Sequence, residues 1–305
     1  MEIKNAAIIG MGAVGTVYGY ALHRKYGSRF GVIAGGERGK RLRENGVSLN
    51  DEYFCPKVIS PEDEDAAAAA DLVIVSVKNY SLGEAIRDIR NCVKDDTLIL
   101  PLLNGITAQE QLQKAFPGNR VFYGLCAYVA AVRNGNGVTN DSYGVIRIGD
   151  AGSKELSPDV KAVIQFLSDA GLDAEFSSDI LHAVWKKWMI NVGANQVSAV
   201  TGATYGRLTL EPNMVLLHEA MLEVIALAEA CGVPLTENDA LEYENKLRTY
   251  APDGKSSTLQ DVEKKRRTEV DYFAGTALSL GKKYGIPTPV NHVLYYLLKS
   301  REEMY

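Results

Sequence analysis

The chain is poor in the residues that staple or metallate proteins. It has four cysteines (Cys55, Cys92, Cys126, Cys231) and four histidines in 305 residues. No pair of cysteines makes a C-x-x-C motif and the histidines are scattered, so neither a disulfide framework nor a metal site is expected. Buried thiols in a reducing cytosol are expected instead. Long apolar runs are missing too. Residues 6 to 15 are apolar but short and glycine-rich, without a basic leader or a small-residue cleavage site, which does not read as a signal peptide. No later segment reaches membrane-spanning length. A positive excess is also absent: the formal net charge of -5 gives no broad field for a phosphate backbone, so nucleic acid is not an expected partner. No repeat is present, and the one biased tract, Ala66 to Ala70, reads as an ordinary helix face. The expectation is a soluble, cytoplasmic protein with no membrane partner.

What is present is the balance of an ordinary globular protein, 46% hydrophobic and 23% charged. The length suits two domains. Ala6-Ala7-Ile8-Ile9 reads as a short buried strand entering a turn at Gly10, followed by a helix from about Ala13 to Tyr26. Phe30 to Ala34 is a second strand, followed by a polar helix rich in Arg and Lys. Asp71 to Val77 and Thr97 to Leu100 are near-continuous apolar runs, the pattern of parallel strands covered on both faces. From Val121 to Ile148 short β-like pieces alternate with Asn134-Gly135-Asn136-Gly137 and Asn140-Asp141, which predicts antiparallel strands or hairpins at the sheet edge. A helix near Val160 to Ala170 and a strand near Ala174 to Phe176 complete this domain. Beyond Ser178-Asp179, an N-cap signal, the period is helical, with helices at about 180–199, 212–231, 236–249, 257–284 and 290–302 and prolines between them. The expected domains are 1–177 and 178–305.

Gly10-Met11-Gly12-Ala13-Val14-Gly15 matches G-x-G-x-x-G between the first strand and the first helix, the context that gives the pattern meaning. The first glycine permits the tight turn, the second lets backbone approach a pyrophosphate, and the third lets helix and strand pack closely. The helix N-terminus offers N–H groups and partial positive charge to the anion. After the second strand stand Gly35-Gly36-Glu37-Arg38. Glu37 suits a ribose hydroxyl and NAD(H), whereas Arg38, Lys40 and Arg41 suit a 2′-phosphate and NADP(H). The sequence leaves both open.

Lys187, Asn191 and Asn195 lie four apart on a largely apolar helical stretch, so an ammonium and two amides share a stripe. Buried amides need partners, and a substrate bearing oxygens is one source. An exposed or internally bonded stripe fits the spacing equally well. Lys186 points roughly 100° away from Lys187 on a helix. Ser256 and Ser257 are natural N-caps, and such a helix end can hold a carboxylate. The mixed charges of Arg266 to Tyr272 read as a solvated face, which would put Glu269 at the surface.

Together these segments resemble ketopantoate reductases (2-dehydropantoate 2-reductases). The resemblance rests on the glycine motif, Ser76-Val77-Lys78, Leu103-Asn104-Gly105, the Lys187/Asn191/Asn195 stripe, and Ser256-Ser257 followed by Thr268-Glu269. It implies an α/β N-terminal Rossmann domain plus an all-α C-terminal domain like that of 6-phosphogluconate dehydrogenase. It also implies NADPH-dependent reduction of a 2-oxoacid, ketopantoate to (R)-pantoate, a step of pantothenate biosynthesis. By the resemblance, Lys187 is the general acid and Glu269 a further catalytic residue in the same cleft. Asn191, Asn195 and Ser257 hold the substrate, and Asn104 sits between nicotinamide and substrate. Gly10, Met11, Gly12, Ala13, Val14, Gly15, Arg38, Lys78 and Ala130 contact the dinucleotide. Many family members carry an arginine directly after the second strand for the NADP phosphate; this chain has Gly35 there, which weakens NADP preference unless Arg38 substitutes. A cleft between the domains is the expected place for the site. Helical second domains of dehydrogenases often dimerise, so a homodimer is a further expectation by analogy. The alternatives are reduction of another branched 2-oxoacid to a D-2-hydroxyacid, and a non-catalytic dinucleotide sensor.

Overall fold

The computed structural model describes residues 2–62 and 70–305, so the alanine run, apart from Ala70, lies outside the described residues. The chain divides into two compact units, Met1–Ile180 and Leu181–Tyr305.

The first unit runs β1 (Ala6–Ile9), α1 (Ala13–Tyr26), β2 (Phe30–Ile33), α2 (Gly36–Asn45), β3 (Val47–Leu49), β4 (Glu52–Phe54), β5 (Lys57–Ile59), β6 (Leu72–Val75), α3 (Leu82–Asp88), β7 (Leu98–Pro101), α4 (Ala108–Ala115), β8 (Arg120–Val121), β9 (Tyr123–Ala127), β10 (Ala130–Asn134), β11 (Gly137–Ser142), β12 (Val145–Gly149), α5 (Pro158–Asp169) and β13 (Asp173–Phe176). Its main sheet has the order β5-β2-β1-β6-β7-β8, and every pairing is parallel. That is a doubly wound Rossmann sheet, whose order reverses between β1 and β6, where such folds bind ligands.

Strands β1, β6 and β7 are buried at every position, because alternate side chains enter two different cores. Ala6, Ile8, Leu72, Ile74, Leu98 and Leu100 meet α1 and α5 through Val17, Leu22, Val163 and Leu167. Ala7, Ile9, Val73, Val75 and Ile99 meet α3 and α4 through Leu82, Ala85 and Leu112.

The strands after residue 121 depart from the sequence expectation. They do not extend the edge of the main sheet, but form two small sheets, β10-β11-β3-β4 and β13-β12-β9. The partners of the β10–β11 hairpin are β3 and β4, three-residue strands too short to carry a readable alternation. The thiols differ as well: Cys92 and Cys126 are buried, but Cys55 is exposed and Cys231 only half-buried. Burial pushes the Cys92 thiol up to about 11, so it stays protonated at neutral pH.

The second unit contains α6 (Ile180–Ile190), a π turn (Asn191–Asn195), α7 (Gln196–Thr201), α8 (Tyr205–Leu208), α9 (Glu211–Ala230), α10 (Glu237–Leu247), α11 (Ser257–Glu263), α12 (Ala274–Tyr284) and α13 (Pro289–Glu303). The single helix expected over 257–284 is two helices. Lys265 takes a left-handed conformation, φ 50°, and Arg266 turns back to bond the Asp261 carbonyl at 2.8 Å and its carboxylate at 2.7 Å. That conformation is costly for a residue with a side chain and ends the helix. Among the described residues no helix is long and apolar enough to cross a membrane, and no group of His, Cys, Asp or Glu side chains could hold a metal.

Candidate active site

In the first unit the glycine turn lies at the sheet's switch point. Gly10 has φ 97°, and a Cβ there would collide with the Ser76 carbonyl at the end of β6. A Cβ on Gly15 would overlap the Gly10 carbonyl, whereas one on Gly12 would meet nothing within 4 Å. The first and third glycines are therefore demanded by the fold, and the second leaves open space beside the backbone, as a pyrophosphate needs. Helix α1 starts behind it with no side-chain cap and no acidic residue in its first turn, so its N-terminus keeps an uncompensated positive end. Gly12 is exposed and Gly10, Ala13 and Val14 are half-buried around this end, whereas Met11 and Gly15 are buried and shape the turn from within.

Lys78 and Asn104 stand on the loops after the neighbouring strands β6 and β7. Asn79, 2% exposed, joins these loops by donating from Nδ2 to the Asn104 carbonyl at 2.8 Å. A lone asparagine beside a lysine carries no pattern in the sequence that would single out Asn79. Gly105, φ 86°, then turns the chain back behind Asn104. Arg38 and Glu37 are exposed side by side in the first turn of α2. Ala130 is exposed and opens β10. Also on β10, Arg133 donates from its guanidinium to the Met11 carbonyl inside the glycine turn. No local motif could have disclosed that contact.

In the second unit, α6 carries two adjacent lysines with different surroundings. Lys186 is committed to α10, with its ammonium 2.9 Å from Asp239 and 2.6 Å from Glu242. Burial works against its charge, but bonds to Glu242 and Asp239 outweigh that and raise its pKa. Lys187 is half-buried on the stripe that continues to Asn191 and Asn195. Lys186→Met is therefore expected to lower the melting temperature and leave kcat close to wild type.

The same cluster yields a pH prediction. Burial alone would raise the Asp239 carboxyl, but Lys186, the Thr236 backbone N–H and His182 together hold it down at about 2. Its stabilising contribution is thus complete above the unfolded value of about 4 and is lost as pH falls toward about 2. The melting temperatures of wild type and Asp239→Asn should differ above that window and converge at its acid end.

The amide stripe is not a regular α-helical face. Asn191 to Asn195 form a π turn, a distortion found frequently at functional sites. Gly193 lets this turn press on α9, since a Cβ there would lie 2.6 Å from Met221 Cγ and 2.8 Å from the Leu217 carbonyl. Gln196 anchors its far end, donating to the Val192 carbonyl at 2.6 Å and accepting from the Ala274 N–H at 3.2 Å. Asn195 Nδ2 donates to Asn191 Oδ1 at 2.9 Å. Asn191 is 7% exposed, and its Nδ2 has no hydrogen-bond partner among the described residues. An unsatisfied buried donor costs about 1–3 kcal/mol, and a ligand oxygen would recover it.

Trp188, next to Lys187, donates from Nε1 to the Tyr272 carbonyl at 3.1 Å, tying the lysine helix to the segment that carries Glu269. Glu269 is 3% exposed, against the solvated face that its charge-rich neighbours suggest. The segment is held inward because Glu302 accepts from both the N–H and the hydroxyl of Thr268 at 2.6 Å. The two serines also divide. Ser256 is the buried cap of α11, accepting from the Leu259 N–H at 3.2 Å and donating to Ser198 at 3.0 Å. Ser257 is exposed in the helix's first turn. Lys187, Asn191 and Asn195 thus share one stripe, and Glu269 lies on the segment that Trp188 ties to the lysine helix.

Both units have counterparts among known proteins. Residues 6–153 match the family described as ketopantoate reductase PanE/ApbA, and residues 179–302 match ketopantoate reductase PanE/ApbA C terminal. The chain is 27% identical over 308 residues to the 2-dehydropantoate 2-reductase of Archaeoglobus fulgidus, with 99% of each chain covered. It superposes with a TM-score of 0.85 on a PanE/ApbA family ketopantoate reductase from Ralstonia eutropha, at 28% identity over 98% of this chain and 99% of the other. A D-mandelate dehydrogenase solved with NADH and anilino(oxo)acetate superposes with a TM-score of 0.89, at 23% identity and 98% of both chains. At that identity the likeness speaks for the fold alone.

Proposed function

The chain belongs to the ketopantoate reductase family of nicotinamide-dependent oxidoreductases, and from that membership we propose that it reduces 2-dehydropantoate to (R)-pantoate with NADPH, a step toward pantothenate. The observation that carries the substrate side is the unpartnered, buried Asn191 Nδ2 one helical turn beyond Lys187. A 2-oxoacid has a carboxylate and a ketone on adjacent carbons, and so presents several acceptor oxygens to such a stripe.

When bound, the reduced dinucleotide supplies the hydride. The glycine turn and the α1 N-terminus would hold its pyrophosphate, with Lys78 and Asn104 at the neighbouring strand ends. On this reading, negative charge grows on the ketone oxygen as its carbon is reduced. The Lys187 ammonium stabilises that charge and donates the proton that completes the hydroxyl. Asn191 and Asn195 fix the oxoacid by its oxygens, with Ser257 as a further donor. Glu269 is a buried carboxylate, assigned to the same site by family resemblance. Lys186 is committed to Asp239 and Glu242, so of the two adjacent lysines Lys187 is the one assigned to the proton.

The test is a spectrophotometric screen of NADPH and NADH oxidation against 2-dehydropantoate and a panel of straight, branched and aromatic 2-oxoacids. The expected result is fastest oxidation of NADPH with 2-dehydropantoate. Greater kcat/KM on another branched or aromatic oxoacid would overturn the substrate assignment and keep the chemistry. Absence of turnover on every oxoacid, with intact dinucleotide binding, would favour a sensor.

A further inference from the structure

We infer that Arg133 is a positioning residue for the dinucleotide's pyrophosphate, acting through the Met11–Gly12 peptide. This rests on the reading above that the glycine turn holds a dinucleotide. Arg133 comes from the β10–β11 hairpin, outside the parallel sheet, opposite Val138. Its guanidinium is held on two sides: Nε donates to the Gly135 carbonyl at 3.1 Å and Nη1 donates to the Met11 carbonyl. The hairpin thus fixes the guanidinium, and the guanidinium fixes one peptide of the turn.

That peptide matters because it is trans, like every peptide among the described residues. In a trans peptide the carbonyl and the following N–H point in opposite directions. Holding the Met11 carbonyl therefore fixes the Gly12 N–H pointing the opposite way, and Gly12 is the glycine of the turn at which an added Cβ would meet nothing within 4 Å. The turn needs such a brace. Gly10 and Gly12 are the most permissive residues available, so their freedom must otherwise be lost when a ligand binds. Within the turn, the Met11 carbonyl has only a long bond from the Thr16 hydroxyl at 3.4 Å. A guanidinium stays charged at any working pH, and its bond polarises the peptide so that the opposite N–H becomes a better donor.

Three chains are compared: wild type, Arg133→Met, which removes the charge at similar length, and Arg133→Lys, which keeps charge but loses the planar fork. Each is titrated with NADPH by fluorescence and then competed with 2′-phosphoadenosine 5′-diphosphate and with adenosine 2′-monophosphate, which differ by the pyrophosphate. In Arg133→Met the NADPH Kd and KM should rise about tenfold, the worth of one charge-assisted bond. kcat at saturating NADPH and the oxoacid KM should stay as in wild type. The loss should appear with the diphosphate and vanish with the monophosphate, and Arg133→Lys should fall between. If Arg133→Met does not fold, Arg133→Lys carries the same comparison with a smaller shift. Unchanged NADPH affinity in the folded variants, or equal losses for both competitors, would overturn the inference. A wild-type chain that binds neither NADPH nor NADH would instead overturn the reading of the turn itself.

Discussion

Lys187→Ala is expected to lower kcat by about 10²- to 10⁴-fold, the contribution of a positioned general acid, while NADPH binds as in wild type. The split follows from where the groups stand. The glycine turn, Lys78 and Asn104 belong to one compact unit and Lys187 to the other, so removing the lysine should leave the contacts proposed for the dinucleotide in place. Lys186 cannot replace it, because its ammonium is held by Asp239 and Glu242 on α10. A Lys187→Arg chain separates two parts of the role: guanidinium keeps the charge that polarises a ketone but does not give up a proton at working pH. That variant should recover oxoacid binding more than turnover. Pre-steady-state NADPH oxidation, followed beside equilibrium NADPH binding, measures both quantities. A Lys187→Ala enzyme with wild-type single-turnover rates would sink the assignment.

The features legible in the sequence were those written locally. The glycine motif follows a four-residue apolar strand, and each glycine's position follows from local sterics alone. The parallel strands announce themselves as apolar runs because both faces are covered. What stayed hidden depends on contacts distant in the chain. Arg133 reaches the turn from 122 positions away, through a hairpin whose partner strands are three residues long. Glu269 sits among charges that predict a wet surface, yet it is buried because Thr268 is clamped by Glu302 from 34 positions away. The π turn was invisible for another reason. Lys187, Asn191 and Asn195 have α-helical spacing, and only packing of Gly193 against α9 shows where the helix widens.

That widened turn supports the second large effect. Asn191→Leu, nearly isosteric, is expected to raise the oxoacid KM by about 10- to 100-fold, the cost of about 1–3 kcal/mol for one lost buried bond. In the unliganded protein the same change should be neutral or slightly stabilising. The two expectations have one cause. Asn191 Nδ2 is buried without a partner among the described residues, so the free protein bears its desolvation cost, and on the proposed reading a bound oxoacid would relieve it. Leucine abolishes the cost and the reward together. Asn195 loses its acceptor, but it is half-buried and can turn its amide toward solvent. NADPH affinity should not move, since the change lies in the second unit. Thermal unfolding with and without saturating oxoacid reads both signs in one experiment: the variant should match or exceed wild type without ligand and gain less from it. A variant destabilised in the free form with unchanged KM would mean that Asn191 is a structural amide, and the substrate face would have to be sought elsewhere in this unit.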